Sequence, residues 1–247
     1  MIPKRIIYIW FGRGEKNELI QKCMTANRYV LKEWSFEEYT EDNYDIHSCK
    51  YMEEAYQRGK YAFASDFARF DILYQRGGVY VDTDVEFLKD MPDSMLCQKG
   101  FTGVEGNNKI APGLVFAAEA GNDIVREIVE SYQAESFVLP NGELNTRTVV
   151  SRVTEIFEKH GFKADGSEQE IEGIHIFPFE YFCAYDFVTE QFEITENTYS
   201  IHHYAASWLS LGERVFKCFR RCVRCVVGKR NYRKIIAVKR RLFGVRE

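Results

Sequence analysis

The segment GGVYVDTDVE, residues 77 to 86, constrains the fold more than any other part of the chain. Two glycines end a stretch with helical spacing, residues 79 to 81 form a short apolar strand, and Asp82 and Asp84 stand where that strand ends. Aspartate is depleted in strands and neighbouring carboxylates repel each other, so something must offset this charge. A divalent cation can do so, and ligands of open α/β sheets bind beyond the carboxyl ends of strands.

Strand and helix patterns alternate along the chain, which predicts an α/β fold. The first of them are an apolar strand at 5 to 11, a helix at 18 to 31, a short strand at 34 to 39, a helix that begins near Tyr44 and one helix from 53 to 76. Later segments predict strands within 110 to 121, 174 to 182 and 199 to 208, and helices at 123 to 133 and 146 to 160.

Charge divides the chain into two parts. The 247 residues carry a net charge of -4, but residues 214 to 247 hold 13 basic residues and one acidic residue, a net charge of +12. The first 213 residues therefore carry -16. We predict one domain at 1 to 213, with a basic tail at 214 to 247 that attaches to an anionic partner.

Hydropathy and cysteine usage predict a cytoplasmic protein. The chain has no uncharged apolar run of about 18 residues, and the run at its N-terminus is too short for a signal peptide. Seven scattered cysteines in a chain of this length are typical of free thiols in a reducing compartment. Cys218, Cys222 and Cys225 have the spacing of an iron–sulfur motif, but the 22 residues that follow are too few for the barrel of a radical enzyme.

The residues alone leave the role of the acid pair open. Asp82 and Asp84 could hold Mg²⁺ or Mn²⁺ against a diphosphate, or they could form an acidic surface turn. Asp66 and Arg69, three residues apart on the preceding helix, could bind a ligand or form only an ion pair within the helix.

Residues 61 to 88, YAFASDFARFDILYQRGGVYVDTDVEFL, resemble the D-x-D nucleotide-sugar glycosyltransferases of family 32. That family includes bacterial capsular and lipopolysaccharide sugar transferases, relatives of a yeast α-1,6-mannosyltransferase and, more remotely, clostridial glucosylating toxins. The motif A-S-D-x-x-R, a spacer and G-G-x-Y-x-D-x-D carries the resemblance. IPKRIIYIWFG at the start and HHYAASW at 202 to 208 match in the same order, so the resemblance spans residues 2 to 210. It implies a GT-A fold, a Rossmann-like α/β sandwich with a central mixed sheet.

The resemblance also implies a cation site. Asp84 is expected to be the direct ligand of Mn²⁺ or Mg²⁺, and Asp82 to contact the ribose, the metal or a metal-bound water. A late histidine reaches the same cation in similar folds, and we assign that role to His203, with His202 as the alternative.

Other residues are expected to bind the donor. Asp66 is assigned to sugar hydroxyls, Arg69 to the sugar or phosphate, and Trp10 to the nucleotide base, although Trp10 could also be an ordinary core residue. Ser207 and Trp208 are expected to close over the diphosphate. Tyr80 is included in the donor site, more as packing beneath it than as a direct contact. Asp66, Arg69 and Asp84 form the predicted catalytic group.

The reaction implied by the resemblance is transfer of a hexose with retention of anomeric configuration. Uridine diphosphate sugars are favoured as donors, and guanosine diphosphate mannose is the alternative. The acceptor is a glycan, including a lipid-linked one, in capsule, exopolysaccharide or lipopolysaccharide synthesis. No residue of the sequence stands out as a nucleophile, which favours attack by the acceptor on the same face of the sugar.

The basic tail interleaves apolar and basic residues with helical spacing, which predicts an amphipathic helix on the anionic inner face of a membrane. Alternatively, the tail could pack on the acidic body. Two other functions compete with sugar transfer. A metal-dependent phosphohydrolase with Asp82 as nucleophile leaves Trp10 and HHYAASW unexplained. A nucleic-acid binder is disfavoured because the acidic body repels phosphate.

Overall fold

The computed structural model describes residues 1–186 and 191–204. Its strands are β1 (Arg5–Ile9), β2 (Ser35–Tyr39), β3 (Gly78–Tyr80), β4 (Val85–Phe87), β5 (Gly100–Gly103), β6 (Phe116–Ala118), β7 (Gln169–Ile171), β8 (Ile174–Phe177), β9 (Tyr185–Asp186), β10 (Gln191–Phe192) and β11 (Ser200–His202). Its helices are α1 (Glu18–Val30), α2 (Lys50–Gln57), α3 (Tyr61–Arg76), α4 (Asp93–Leu96), α5 (Asp123–Gln133), α6 (Val149–Lys159) and α7 (Phe179–Phe182).

A mixed sheet of seven strands, in the order β2-β1-β3-β6-β5-β8-β7, forms the centre of the fold. Strands β2, β1 and β3 are parallel, β6 is antiparallel to both β3 and β5, and β8 is parallel to β5. Two short antiparallel pairs, β4–β11 and β9–β10, lie outside this sheet. The predicted α/β architecture with a central mixed sheet is confirmed.

Each face of the sheet carries its own hydrophobic core. Alternate residues of a strand point to opposite faces, so Ile7 of β1 joins one core while its neighbour Ile6 joins the other. The first core includes Phe67 of α3 and Ile128 of α5. The second includes Ile20 of α1. The result is three layers, with α3 and α5 on one side of the sheet and α1 on the other.

The turn from α3 into β3 explains the two glycines. Gly77 ends the helix with φ +66°, and its N–H donates to the Leu73 carbonyl at 2.8 Å. A Cβ at this position would lie 2.8 Å from the backbone nitrogen of Ala120. Glycine therefore supplies both the left-handed conformation and the space for a close backbone approach. The chain enters the buried β3 directly and reaches Asp82 two residues after that strand ends.

Three predicted boundaries are wrong. The helix predicted from 53 to 76 is two helices, α2 and α3, because the chain turns at Gly59 with φ +66°. Residues 40 to 48 form turns instead of a helix near Tyr44, whose hydroxyl donates to Asp71 of α3 at 2.6 Å. Strand β1 ends at Ile9, two residues early, and leaves Trp10 in the following loop.

Part of the prediction lies outside the described residues, namely Ser207, Trp208 and the tail at 214 to 247. Within residues 1–186 and 191–204, none of the helices combines the length and apolar character needed to cross a membrane.

Candidate active site

The acid pair lies in a tight turn between β3 and β4. The Asp82 N–H donates to the Gly113 carbonyl at 2.9 Å, and the Val85 N–H donates to the Asp82 carbonyl at 3.1 Å. Because β1 and β3 are parallel, with Ile7 beside Tyr80, the residues that follow both strands emerge at the same edge of the sheet. Trp10 and Asp82 thus share the carboxyl edge, where ligands of such sheets bind.

His202 joins Asp82 and Asp84 at this edge. Strand β11 pairs antiparallel with β4, so His202 lies opposite Val85, immediately after the turn. Its Nε2 is 2.9 Å from Oδ1 of Asp84 and 3.9 Å from Oδ2 of Asp82. One ligand atom from each of the three residues lies within 4.8 Å of the other two. His202 and Asp84 are buried, whereas Asp82 is partly exposed.

The structure brings the alternative histidine to the acids. His203, our first choice, directs Nε2 to Glu86 Oε2 at 2.7 Å, and its backbone N–H donates to the Asp84 carbonyl at 3.1 Å. Adjacent residues of an extended chain point in opposite directions, so only one of the two can face the acid pair. The two histidines are adjacent in the sequence, and the sequence does not indicate which of them faces the acid pair.

The charges around His202 favour its protonated form. Burial alone would lower the pKa of His202, but the hydrogen bond to Asp84 and the charges of Asp84 and Asp82 outweigh burial, so the pKa is raised above its ordinary value. The Nδ1 atom is buried and has no hydrogen-bond partner among the described residues. The ring of Tyr204 lies against the imidazole, with 4.1 Å between the ring centroids.

The donor set fits a hard or borderline divalent cation. Two carboxylates and one imidazole are ligand types found in Mn²⁺ sites, and carboxylates also suit Mg²⁺. A cation there would offset the repulsion between Asp82 and Asp84, which follows from their close spacing in the sequence. Without a cation, the raised pKa of His202 favours an imidazolium, whose charge would offset part of the same repulsion.

Asp66 and Arg69 form a buried pair that extends toward the acid turn. Arg69 Nη2 donates to Asp66 Oδ1 at 2.7 Å, and Arg69 Nη1 lies 3.5 Å from Asp82 Oδ1. The guanidinium lies over the ring of Tyr80, 4.5 Å from its centroid, and the Tyr80 hydroxyl donates to Asp82 Oδ1 at 2.7 Å. The pair is therefore more than a surface contact within one helix, because it connects α3 to the turn that carries Asp82.

Burial dominates the electrostatics of Asp66. The carboxyl is 7% exposed, and burial raises its pKa to about 7 although the charge of Arg69 opposes the shift. A group that is half protonated near neutral pH can either accept or donate a hydrogen bond to a sugar hydroxyl.

Trp10 lies in the loop after β1 and is half-buried. Its indole Nε1 donates to the Gly14 carbonyl at 2.6 Å, and Lys16 Nζ lies 5.3 Å from the ring centroid. These contacts order the loop at 10 to 16 around the ring and leave part of the ring accessible.

Two residues that no sequence motif singles out, Gly113 and Asn27, also shape the site. A Cβ at Gly113 would collide with Oδ2 of Asp82, so the absence of a side chain there makes room for the carboxylate. Asn27 of α1 is fully buried and bonds to the backbone of β4 on both sides, through Val85 and Phe87. The dipeptide Pro112-Gly113 signals a turn, but nothing in the sequence pairs it with Asp82.

The solved structures that are similar to this chain include two glycosyltransferases. One is described as "PaToxG Glycosyltransferase" and has 17% identity and a TM-score of 0.46, with 64% of this chain and 69% of that chain covered. The other is a glycosyltransferase involved in the glycosylation of the major capsid of PBCV-1, with 12% identity and a TM-score of 0.47, covering 86% of this chain and 98% of that chain. The curated proteins contain no sequence that matches.

A family model described as "Glycosyltransferase sugar-binding region containing DXD motif" matches residues 14–102. The matched range contains Asp66, Arg69, Asp82 and Asp84, which the structure brings together at the carboxyl edge of the sheet. The resemblance found in the sequence is confirmed for this range. Residues 14–102 therefore match the sugar-binding region of the D-x-D glycosyltransferases, which supports a glycosyltransferase activity for the chain.

Proposed function

We propose that this protein is a metal-dependent glycosyltransferase that moves a hexose from a nucleotide diphosphate sugar to a glycan acceptor. One observation carries the proposal: Asp82, Asp84 and His202 converge at the sheet edge where the buried Asp66–Arg69 pair also ends. Three ligand atoms for a cation and a polar pair for a sugar thus lie side by side. The family match over residues 14–102 supports the same assignment.

Asp82, Asp84 and His202 are the residues that would hold the cation. When bound, Mn²⁺ or Mg²⁺ supplies positive charge beside the diphosphate leaving group. Asp84 and His202 are buried and fixed by the β4–β11 pair, so they need little rearrangement to bind. Asp82 is partly exposed and hydrogen-bonded to Tyr80, which suits a ligand that also contacts the donor.

Asp66 and Arg69 would bind the sugar end of the donor. Both side chains are buried in α3, so a sugar that reaches them is removed from water, and hydrogen bonds to it gain strength. Arg69 is already held by Asp66 and by the face of Tyr80, and a guanidinium fixed in this way loses little entropy when it binds an oxygen. Trp10 offers its accessible face to the nucleotide base.

We further propose that the reaction retains the anomeric configuration by attack on the same face of the sugar. The acid nearest to the expected sugar position, Asp66, is paired with Arg69 and its protonated form is favoured by burial, so it is a poor nucleophile. Ser207 and Trp208 are assigned to closure over the diphosphate, which would limit hydrolysis of the donor. Nuclear magnetic resonance of the anomeric proton in the first-formed product tests this stereochemistry, and an inverted product would refute it.

Uridine diphosphate sugars are the proposed donors, with guanosine diphosphate mannose as the alternative. The proposed acceptor is a glycan of bacterial capsule, exopolysaccharide or lipopolysaccharide, including a lipid-linked one. We also propose a cytoplasmic protein held at the inner face of the membrane through the tail at 214 to 247. The net charge of that tail, +12, supports its attachment to an anionic membrane.

The competing phosphohydrolase is not favoured by the site. Such enzymes commonly place a lysine beside the nucleophilic aspartate. The ion-pair partners of Asp82 among the described residues are Arg69 and His202, and the Tyr80 hydroxyl bonds to the same carboxylate.

A donor screen tests the proposed function. Uridine and guanosine diphosphate sugars are each added with Mn²⁺, and both the melting temperature and slow donor hydrolysis are measured. At least one donor is expected to raise the melting temperature and to be hydrolysed. Asp84→Asn is expected to lower both the donor affinity, taken from the melting-temperature shift, and the hydrolysis rate at least tenfold. The matched control is Asp93→Asn, because that side chain is 82% exposed and pairs only with Lys4 at 3.1 Å in the described structure. If no nucleotide sugar changes the melting temperature of the wild type, the proposed function is wrong.

A further inference from the structure

A second group of metal-ligating side chains lies next to the candidate active site but shares no residue with it. Cys23, Glu86 and His203 each place one ligand atom within 4.8 Å of the other two. The proposed function uses none of them, and His203 is the histidine that the structure turns away from Asp82 and Asp84.

The backbone fixes each member of this group. Cys23 lies one turn before Asn27 on α1, so both residues face β4, and Asn27 holds that face in place by hydrogen bonds to Val85 and Phe87. Glu86 belongs to β4. His203 follows β11 directly, and its backbone N–H is bound to the Asp84 carbonyl at 3.1 Å. The group thus joins one helix to both strands of the β4–β11 pair.

The side chains leave a thiol available for a ligand. Cys23 is 1% exposed and forms no disulfide, and no hydrogen bond from another residue to its Sγ is found within residues 1–186 and 191–204. Glu86 and His203 bond to each other at 2.7 Å, and their side chains are 35% and 20% exposed. The group is therefore closed at the sulfur and open to solvent at the carboxylate, as in metal sites with three protein ligands and one exchangeable water.

The chemistry of this group differs from that of the acid turn. A thiolate, an imidazole and a carboxylate are the three ligand types that Zn²⁺ takes in tetrahedral sites, at about 2.0–2.3 Å from the metal. Ligand atoms around such an ion lie about 3.3–3.8 Å apart, so the Glu86–His203 pair must open by roughly 1 Å. The thiol proton passes to solvent when the ion binds.

We propose that Cys23, Glu86 and His203 form a second metal site, selective for Zn²⁺-class ions, which fastens α1 to the strand pair that presents Asp84 and His202. The proposal is independent of the proposed function. The acid turn offers two carboxylates and one imidazole, whereas this site offers sulfur, so the two sites select ions of different softness.

Co²⁺ titration of the full-length chain tests the site. A cysteine thiolate bound to Co²⁺ gives a sulfur-to-metal charge-transfer band in the near ultraviolet, which a site without sulfur does not give. Because Cys218, Cys222 and Cys225 can also bind such ions, the background chain carries serine at those three positions. We expect this chain to show the band, to saturate at one sulfur-bound Co²⁺ per chain and to lose it when Zn²⁺ is added.

Single substitutions in that background assign the band. Cys23→Ser is expected to abolish it, whereas the control Cys49→Ser, at another buried cysteine, retains it. Asp84→Asn also retains it, which separates this site from the acid turn. Glu86→Gln and His203→Gln are expected to weaken Co²⁺ binding at least tenfold. Because these two side chains are partly exposed, their variants can be measured even if Cys23→Ser does not fold. A band that is absent from the background chain, or that survives Cys23→Ser, would overturn the proposal, as would unchanged affinity in both the Glu86 and His203 variants.

Discussion

At the scale of single residues, the position of the Asp82 carboxylate depends on a glycine from another part of the chain. Gly113 accepts the Asp82 N–H at 2.9 Å, and a Cβ on Gly113 would collide with Asp82 Oδ2. Asp82 is partly exposed, so it can swing away from an added methyl group without unfolding the turn. The site is therefore more sensitive to this substitution than the fold is.

We expect Gly113→Ala to reduce the affinity for Mn²⁺ and the rate of sugar transfer by about tenfold each, because it displaces Asp82, a proposed ligand of the cation. The melting temperature should change by no more than about 4 °C, the shift produced by roughly 1 kcal/mol in a chain of this size. Calorimetric Mn²⁺ titration and thermal unfolding measure the two effects. Wild-type affinity in a folded Gly113→Ala variant would show that the glycine does not set the position of Asp82.

Asp66 makes stability depend on pH in a predictable direction. Its pKa is 3.8 in an ordinary environment and about 7 in the folded protein, mainly because the carboxyl is buried. The folded state therefore binds more protons than the unfolded state between these values, and the free energy of unfolding falls as pH rises from about 4 to about 7. The stabilisation is fully present below the ordinary pKa and is lost as pH passes the folded one.

We expect wild-type stability to fall relative to that of Asp66→Asn by up to about 4 kcal/mol across this pH window, because asparagine cannot ionise. Urea unfolding of both proteins at a series of pH values measures the difference. The same substitution should reduce sugar transfer at every pH, since it alters the group that we propose binds the sugar. Parallel stability curves would show that Asp66 does not titrate in this range.

At the scale of elements, α1 is held to β4 by one buried amide. Asn27 donates to the Val85 carbonyl and to the Tyr8 hydroxyl, and accepts from the Phe87 N–H, each at 2.8 Å. Removal of this side chain leaves buried backbone groups without partners, and each such group costs about 1–3 kcal/mol.

We expect Asn27→Ala to lower the free energy of unfolding by about 3–5 kcal/mol. Thr25→Ala is the matched control on the same helix, because Thr25 is exposed and its hydroxyl bonds only to the Gln21 carbonyl in the described structure. The control should stay within about 0.5 kcal/mol of wild type. Equal losses in the two variants, measured by denaturant unfolding, would refute the role of Asn27.

The elements that follow from a local hydrophobic pattern were predictable, whereas a helix break at one glycine and the features set by strand pairing were not. A continuous apolar run identifies β1, and apolar spacings of three and four followed by the glycine pair identify the end of α3 and the start of β3, because hydrophobic period and turn chemistry act within a few residues. Residues 53 to 76 divide into two helices at Gly59, where a positive φ lets the Gly59 and Lys60 N–H groups donate to the Tyr56 and Ala55 carbonyls of α2, each at 2.9 Å. A single glycine inside a helical pattern does not by itself predict a break.

In the candidate active site, too, the residues of a local motif were predictable and the one set by strand pairing was not. Asp66, Arg69, Asp82 and Asp84 lie within one local motif, and the sequence identifies all four. The choice between His202 and His203 depends on the register of β11 against β4, two strands more than 100 residues apart in sequence. A shift of one residue in that register would exchange the two side chains, and no local pattern fixes it.

At the scale of the whole molecule, the chain combines an acidic body with a basic tail. The first 213 residues carry -16 and the last 34 carry +12, so an anionic surface attracts one part and repels the other. Each basic residue near an anionic membrane contributes about 1 kcal/mol, and salt screens this attraction within about 10 Å at 0.1 M.

We expect the full-length chain to sediment with vesicles that contain anionic lipid, and to be released as salt is raised. A chain without residues 214 to 247 should remain in solution with the same vesicles, and neutral vesicles should bind neither protein. Unchanged binding after the deletion would exclude the tail as the anchor, and no binding by the full-length chain would exclude the membrane proposal.

Titration with Mn²⁺, followed by the electron paramagnetic resonance of the free ion, tests most directly whether the acid turn is a cation site. We predict one Mn²⁺ bound per wild-type chain at this turn, with affinity reduced at least tenfold by Asp84→Asn and His202→Gln and unchanged by His203→Gln. Equal Mn²⁺ affinity in the wild type and the His202→Gln and Asp84→Asn variants would contradict the account.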